Sequence, residues 1–168
     1  MAADRALAYL AGDQAADGSW VPLWFGSQRT ATGANPLFGT ARVVRALAPL
    51  AGQHPAVPEA LARGVVWLLA ARGSDGGWGA AAGAAPTVEE TALAVEALAD
   101  PRIASMPGVT DAVRAGAEWL ARAVAAGALK RPSPIGLYFA SLWYSEALYP
   151  PALATAALAR ATHLFDLA

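Results

Sequence analysis

The sequence predicts an all-α protein made of repeated helical hairpins, and three observations carry that expectation. Hydrophobic residues are 56% of the 168 and charged ones only 15%, more apolar than the ~45–50% of an average soluble domain. Alanine is the commonest residue, which favours closely packed helices. Small and apolar residues recur at i, i+3, i+4 and i+7 in successive segments, and one residue pattern returns at the spacing of a helix pair plus a loop.

Helices are expected near 4–14, 39–51, 57–72, 88–99, 110–126, 135–149 and 151–165, with no strands. The first carries Arg5, Ala6, Tyr9, Leu10 and Gln14 and ends at the turn dipeptide Asp17-Gly18, where glycine supplies a positive φ without Cβ strain. The second, Gly39 to Leu47, shows an amphipathic stripe. The third, through Arg63, Trp67 and Leu68, stops before Gly73-Ser74 and Asp75-Gly76. Thr87 with Glu90 three residues on fits a capping box opening the fourth. Asp111 is placed to cap the fifth, which carries Trp119. Prolines 134, 150 and 151 delimit the last two. The alanine-glycine stretch 79–85 and the stretch Lys130 to Pro134 read as loops, none long enough to divide the chain. One domain over 1–168 follows, with repeats near 4–52 and 55–100 and a third, with the C-terminal helices, over 109–165.

The repeat is specific. Arg5-Ala6, Tyr9-Leu10, Gln14 and Gly18-Ser19-Trp20 match Arg63-Gly64, Trp67-Leu68, Arg72 and Gly76-Gly77-Trp78 at every interval. A third copy opens with Ala115-Gly116 and Trp119-Leu120 but lacks the glutamine and the Gly-x-Trp ending. This pattern resembles the QW motif of triterpene cyclases, the squalene-hopene and oxidosqualene cyclases. Trp24, the segment Asn35 to Thr40, Asp75 to Gly79 and the closing Tyr144 to Pro150 extend the resemblance from about Arg5 to Arg160.

The resemblance implies an α/α toroid, a ring of about six helix pairs whose inner helices face an isoprenoid-binding cavity. At roughly 25 residues per helix and loop such a ring takes ~300 residues, so three pairs make half of one. It implies structural roles for Gln14, Gly18, Trp20, Arg72, Gly76 and Trp78: the tryptophans stack on the glutamine, which satisfies open backbone groups at a neighbouring helix end. Arg72 departs from the glutamine and loses its acceptor. Cavity lining is implied for Trp24, Phe38, Leu93, Leu137, Ser141 and Tyr144, of which Leu93, Leu137 and Ser141 stand where aromatics are expected. Leu137, Ser141 and Tyr144 fall on one face of the expected helix 135–149. Aromatic faces stabilise carbocations in a dry cavity, whereas Tyr138, Phe139, Trp143 and Tyr149 read as core.

A cyclase of this class protonates an alkene or epoxide with a strongly acidic Asp-x-Asp-Asp carboxyl. No two aspartates here have that spacing, and no aspartate-rich magnesium motif is present. Glu89-Glu90 is the adjacent acidic pair; it reads either as a substitute acid or as helix N-terminal carboxylates interacting with backbone amides. His54 and His163 lack metal-ligand spacing. No cofactor and no metal site is expected. Zero cysteines exclude a disulfide framework and every thiolate metal site, including that of the related prenyltransferases. A net charge of −1 without a basic cluster gives no footprint for nucleic acid.

No segment reads as a signal peptide, and the apolar run 132–159 is divided by prolines into pieces of about 15 residues where a bilayer span needs ~20. A cytoplasmic protein is expected, with peripheral contact between an apolar surface and a membrane compatible with that run. The functional expectation is a terpene cyclase-like C-terminal domain that lines an isoprenoid cavity and is inactive alone, its partner a second half-barrel chain or a second copy. The alternative is a non-catalytic helical-repeat protein that binds an isoprenoid or a protein.

Overall fold

The computed structural model describes residues 2–137 and 142–166. Six α-helices dominate: α1 (Ala2–Gly12), α2 (Pro36–Leu47), α3 (Val57–Ala70), α4 (Val88–Leu98), α5 (Val109–Ala125) and α6 (Tyr149–Asp166). Helix α2 starts at a proline behind Asn35, whose side chain accepts from the Phe38 amide at 3.0 Å. The Thr87 hydroxyl likewise accepts from the Glu90 amide at 3.2 Å and caps α4. Helix α5 begins earlier than expected, so Asp111 is not its cap. Gly108, at φ 83°, holds the N-cap position without a side-chain bond, and Asp111 falls in the first turn.

Every residue of α4 is buried, and α2, α5 and α6 pack around it, with α3 against α2. The polar residues of α4 therefore need partners within the fold. Its buried Glu96 is paired with Arg45 of α2 at 3.1 Å. At its end, buried Asp100 meets Arg102 at 3.3 Å and Arg160 of α6 at 3.8 Å.

Among the described residues the helix expected at 135–149 does not form. Where 135–149 was expected to be helical, Ile135–Leu137 (β2) and Leu142–Tyr144 (β3) pair antiparallel, and β2 also pairs with Gly26–Ser27 (β1). Register aligns Ile135 with Tyr144 and Leu137 with Leu142. The segment is rich in aromatic residues that favour strands. The free edge of β1 then supplies backbone partners. Leu137 and Tyr144 therefore do not share a helix face, and Ser141 lies outside the described residues, as do Tyr138 and Phe139.

The two Gly-x-Trp turns are built alike and seat on successive outer helices. The Trp20 indole donates to the Leu10 carbonyl at 2.7 Å, and the Trp78 indole donates to that of Leu68 at 2.7 Å. Both carbonyls lie in the last turn of a helix, where no intrahelical donor remains. The backbone amides of Trp20 and Trp78 donate to Thr40 and Thr91 at 3.0 and 2.9 Å. The indoles of Trp67 and Trp119 donate to Asp17 and Asp75, both at 3.0 Å. The bonds that Asp17 accepts from the backbone and hydroxyl of Ser19, with the Trp67 indole adding to them, hold its carboxyl below its usual range. Gly18 and Gly76 have φ of 94° and 95°, and a Cβ on them would lie 2.7 and 2.9 Å from the carbonyls of Arg63 and Ala115.

The glutamine of the first turn reaches a backbone group near the end of a neighbouring helix. Gln14 Nε2 donates to Gly18 O at 2.9 Å and to Ala60 O, in the first turn of α3, at 3.0 Å. The C-terminal carbonyls of Leu10 and Leu68 are taken by the indoles. Arg72 is exposed, and among the described residues it makes no bond equivalent to that of Gln14. Its long charged side chain is better solvated outside the turn.

Gly64 and Gly116 give the rings room. A Cβ on Gly116 would stand 2.5 Å from Val95 Cγ2 and 2.7 Å from Trp78 Cζ3. Gly116→Ala is expected to lower unfolding free energy by about 1–3 kcal/mol through overpacking. Gly12→Ala, with nothing within 4 Å, should be neutral or up to ~1 kcal/mol stabilising through helix propensity. Urea unfolding of both variants checks the opposite signs.

Candidate functional site

A cavity of about 170 Å³ opens between β1, α2, α4 and α6. Its apolar wall is formed by Phe25, Phe38, Leu93 and Leu153, and its polar side by Asn35, Glu89, Glu90 and Ser133. The start of α2 brings Phe38 there, two residues after Pro36, and the start of α4 brings the two glutamates and Leu93. Phe25 stacks on Phe38 with centroids 4.3 Å apart and planes at 20°, an arrangement that adds to simple burial. The Arg42 guanidinium lies 5.4 Å from the Phe38 centroid.

Glu89 and Glu90 are both 6% exposed but serve different partners. Glu89 accepts from the backbone amide and the hydroxyl of Ser133, which fastens the loop before β2 to α4. Glu90 accepts from Asn35 Nδ2 at 3.2 Å and contacts the Thr87 hydroxyl. Burial first, and then the neighbouring Glu89 charge, push the Glu90 carboxyl up to about 7. Bonds from its own backbone amide and from Asn35, with the more distant Arg29 charge, oppose that rise.

Only some of the sequence-predicted lining meets here. Phe38 and Leu93 reach the cavity together with Glu89 and Glu90. Trp24 is half exposed and lies instead beside a shallower groove between α1, the loop 21–25 and α2. Tyr144 sits on β3 with its hydroxyl 3.1 Å from that of Tyr149, a bond that pushes its phenol up to about 12. Tyr149, read from sequence as core, lines the cavity, whereas Leu137 does not.

Phe25, Ser133 and Leu153 were missed. Phe25 follows Trp24 in an aromatic loop and carried a weak signal; Ser133 carried none, because its role depends on a loop returning from 44 residues away. His54 Nδ1 accepts from the Ala56 amide at 3.2 Å, and its Nε2 faces Asp4 at 3.6 Å. His163 is exposed on α6. Among the described residues no three His, Cys, Asp or Glu side chains are grouped to hold a metal ion. No described helix is long and apolar enough to cross a membrane.

Residues 1–85, which hold the first repeat and the turn of the second, match the profile of the squalene-hopene cyclase C-terminal domain. The chain belongs to that family. It is 36% identical over 128 residues to a terpene cyclase-glycosyl transferase fusion protein of Humicola fuscoatra, covering 70% of this chain and 9% of that protein. It is 31% identical over 150 residues to an ent-copalyl diphosphate synthase of a Streptomyces species, covering 89% of this chain and 25% of the relative. The solved ent-copalyl diphosphate synthase of Streptomyces platensis superposes with a TM-score of 0.73 at 28% identity, over 93% of this chain and 27% of that one. The chain thus spans about a quarter or less of each of these proteins, and its helical hairpins are of the α/α toroid type.

The buried carboxyl gives this cyclase-family domain a pH signature. Below the ordinary value of 4.5 Glu90 is protonated in both folded and unfolded chains, so its favourable contribution is fully present. As pH rises the unfolded chain ionises first, and the contribution is lost until the folded carboxyl ionises near 7. Glu90→Gln should therefore gain stability relative to the parent by a few kcal/mol between pH 4.5 and 8. Urea unfolding across that range checks it, and a pH-independent difference would contradict it.

Proposed function

We propose that this domain supplies part of the wall of an isoprenoid-binding cavity in a terpene cyclase and does not start cyclisation by itself. The observation that carries the reading is the junction of stacked Phe25 and Phe38 with Leu93 and Leu153 beside the buried carboxyls of Glu89 and Glu90, on a fold shared with copalyl diphosphate synthases. Phenylalanine faces attract a carbocation and cannot be alkylated as readily as a nucleophilic side chain would be, so such a wall suits a migrating positive charge.

Volume and acidity both limit what these residues do alone. A cavity of about 170 Å³ is smaller than the ~300–1,000 Å³ that encloses a drug-sized ligand, so a long isoprenoid needs further wall. Protonating an alkene requires a carboxylic acid stronger than usual, and Glu90 is shifted towards a weaker one. Once ionised, Glu90 is better suited to receive a proton from a cation at the end of a cyclisation. The starting acid, an Asp-x-Asp-Asp motif, is not among the aspartates of these 168 residues, and its chemistry has to come from outside them.

That missing acid also favours a second reading, a non-catalytic protein that binds an isoprenoid in the same place. Peripheral contact with a membrane and a cytoplasmic location fit both readings.

Purified protein titrated with squalene, and separately with a linear isoprenoid diphosphate, is expected to bind at least one saturably. Leu93→Trp, which fills the cavity, should weaken that binding at least tenfold. Product analysis should show no cyclic terpene from the protein alone. Loss of saturable binding would overturn the cavity reading, and unassisted turnover would overturn the missing-acid reading.

A further inference from the structure

The stretch Arg131-Pro132-Ser133-Pro134 is a strap between the short turn Ala128–Lys130 and β2. Proline has no backbone N–H, so Ser133 carries the one backbone donor of residues 132–134. That donor and the Ser133 hydroxyl both go to the Glu89 carboxylate, and the two residues are each 6% exposed. Glu89 lies in the first turn of α4, where the helix dipole favours a negative charge. Among the described residues the strap is thus hydrogen-bonded to α4 through a single side chain.

Two spaces meet at this contact. On one side is the cavity of about 170 Å³ with its phenylalanine wall. On the other is a groove of about 320 Å³ lined by Val88, Trp119 and Ala128 together with Arg29 and Arg131. The residues common to both linings are Glu89 and Ser133, so their hydrogen bonds form the partition. An apolar cavity of ~150 Å³ holds one benzene-sized molecule, and the closed cavity therefore takes one isoprene unit.

We propose that Glu89 is a specificity-determining residue: by fastening Ser133 it closes one end of the cavity, limits the buried part of a ligand to one isoprene unit and keeps the chain out of the groove. Loss of the carboxylate would leave the buried Ser133 N–H without an acceptor, which costs more than a made bond contributes. The strap then moves to reach water, the two spaces join, and a longer prenyl chain is admitted. Glu89 acts on the wall and not on a reacting atom, which makes it a positioning residue. The inference rests on the cavity reading above and adds what sets the length of the ligand.

The test titrates the whole ¹⁵N-labelled chain with prenol, geraniol and farnesol, which carry one, two and three isoprene units. In the parent the gain in affinity from geraniol to farnesol should stay within about threefold, because the added unit remains outside the cavity. Glu89→Met, of similar volume but without the carboxylate, should raise that gain to about tenfold or more. Glu89→Gln keeps an acceptor oxygen and should behave as the parent. Amide exchange follows the strap itself: Ser133 should be protected in the parent and in Glu89→Gln, and unprotected in Glu89→Met with α4 protection unchanged. An unprotected Ser133 in the parent overturns the proposal without any substitution, as does a tenfold gain already present there. Equal chain-length dependence in the parent and Glu89→Met overturns it while leaving the cavity reading intact. Failure of the parent to bind any of the three alcohols overturns both.

Discussion

The indole N–H bond to a helix-end carbonyl is the interaction on which the rest of the architecture depends. A helix that ends inside a protein leaves its last carbonyls without donors, and each one left unsatisfied costs on the order of 1–3 kcal/mol. Trp20 and Trp78 meet that need at Leu10 and Leu68 while burying two of the largest side chains in the molecule. Because each ring also rests on a glycine of the next repeat, at Gly64 and Gly116, the bond that ends one helix positions another. Local chain termination and long-range packing are the same contact.

Stacking of repeats in this way leaves α4 surrounded, and that has an electrostatic cost. Three glutamates are buried along it. Glu96 is neutralised by Arg45 across the α2–α4 contact. Glu89 is satisfied by a loop backbone, and Glu90 by Asn35 and Thr87 without any cation in direct contact. Holding an ionised carboxylate there is unfavourable, so the proton is retained towards neutral pH. The stacked phenylalanines and this carboxyl face the same cavity because α2 and α4 both begin at its rim. The chemistry follows from where two helices start.

The helical repeats were legible because their signals are local. Asp-Gly dipeptides, Thr87 with its residue three places on, and a 58-residue return from Tyr9 to Trp67 require no knowledge of distant contacts. The segment 135–149 misled for the complementary reason. Its i, i+4, i+7 pattern was compatible with a helix, and only the presence of the β1 edge, more than a hundred residues earlier, made strand pairing available. That error moved Leu137 and Tyr144 off the cavity wall and concealed Ser133 as a partner of Glu89. Phe38 and Leu93 reach the pocket because they sit on helices that form where the periodicity places them.

The sequence by itself determined the repeat, the helical class, the family and the absence of the Asp-x-Asp-Asp spacing, since all of these are matters of residue order. Tertiary structure decided that the indoles bond the C-terminal carbonyls of α1 and α3, and that Phe25 joins Phe38. It likewise decided that Glu90 is buried enough to hold its proton, and that the Trp20 and Trp78 rings rest on Gly64 and Gly116. The physical reason is that hydrogen-bond satisfaction, desolvation and exposure depend on which segments meet, and residue order constrains those meetings without specifying them.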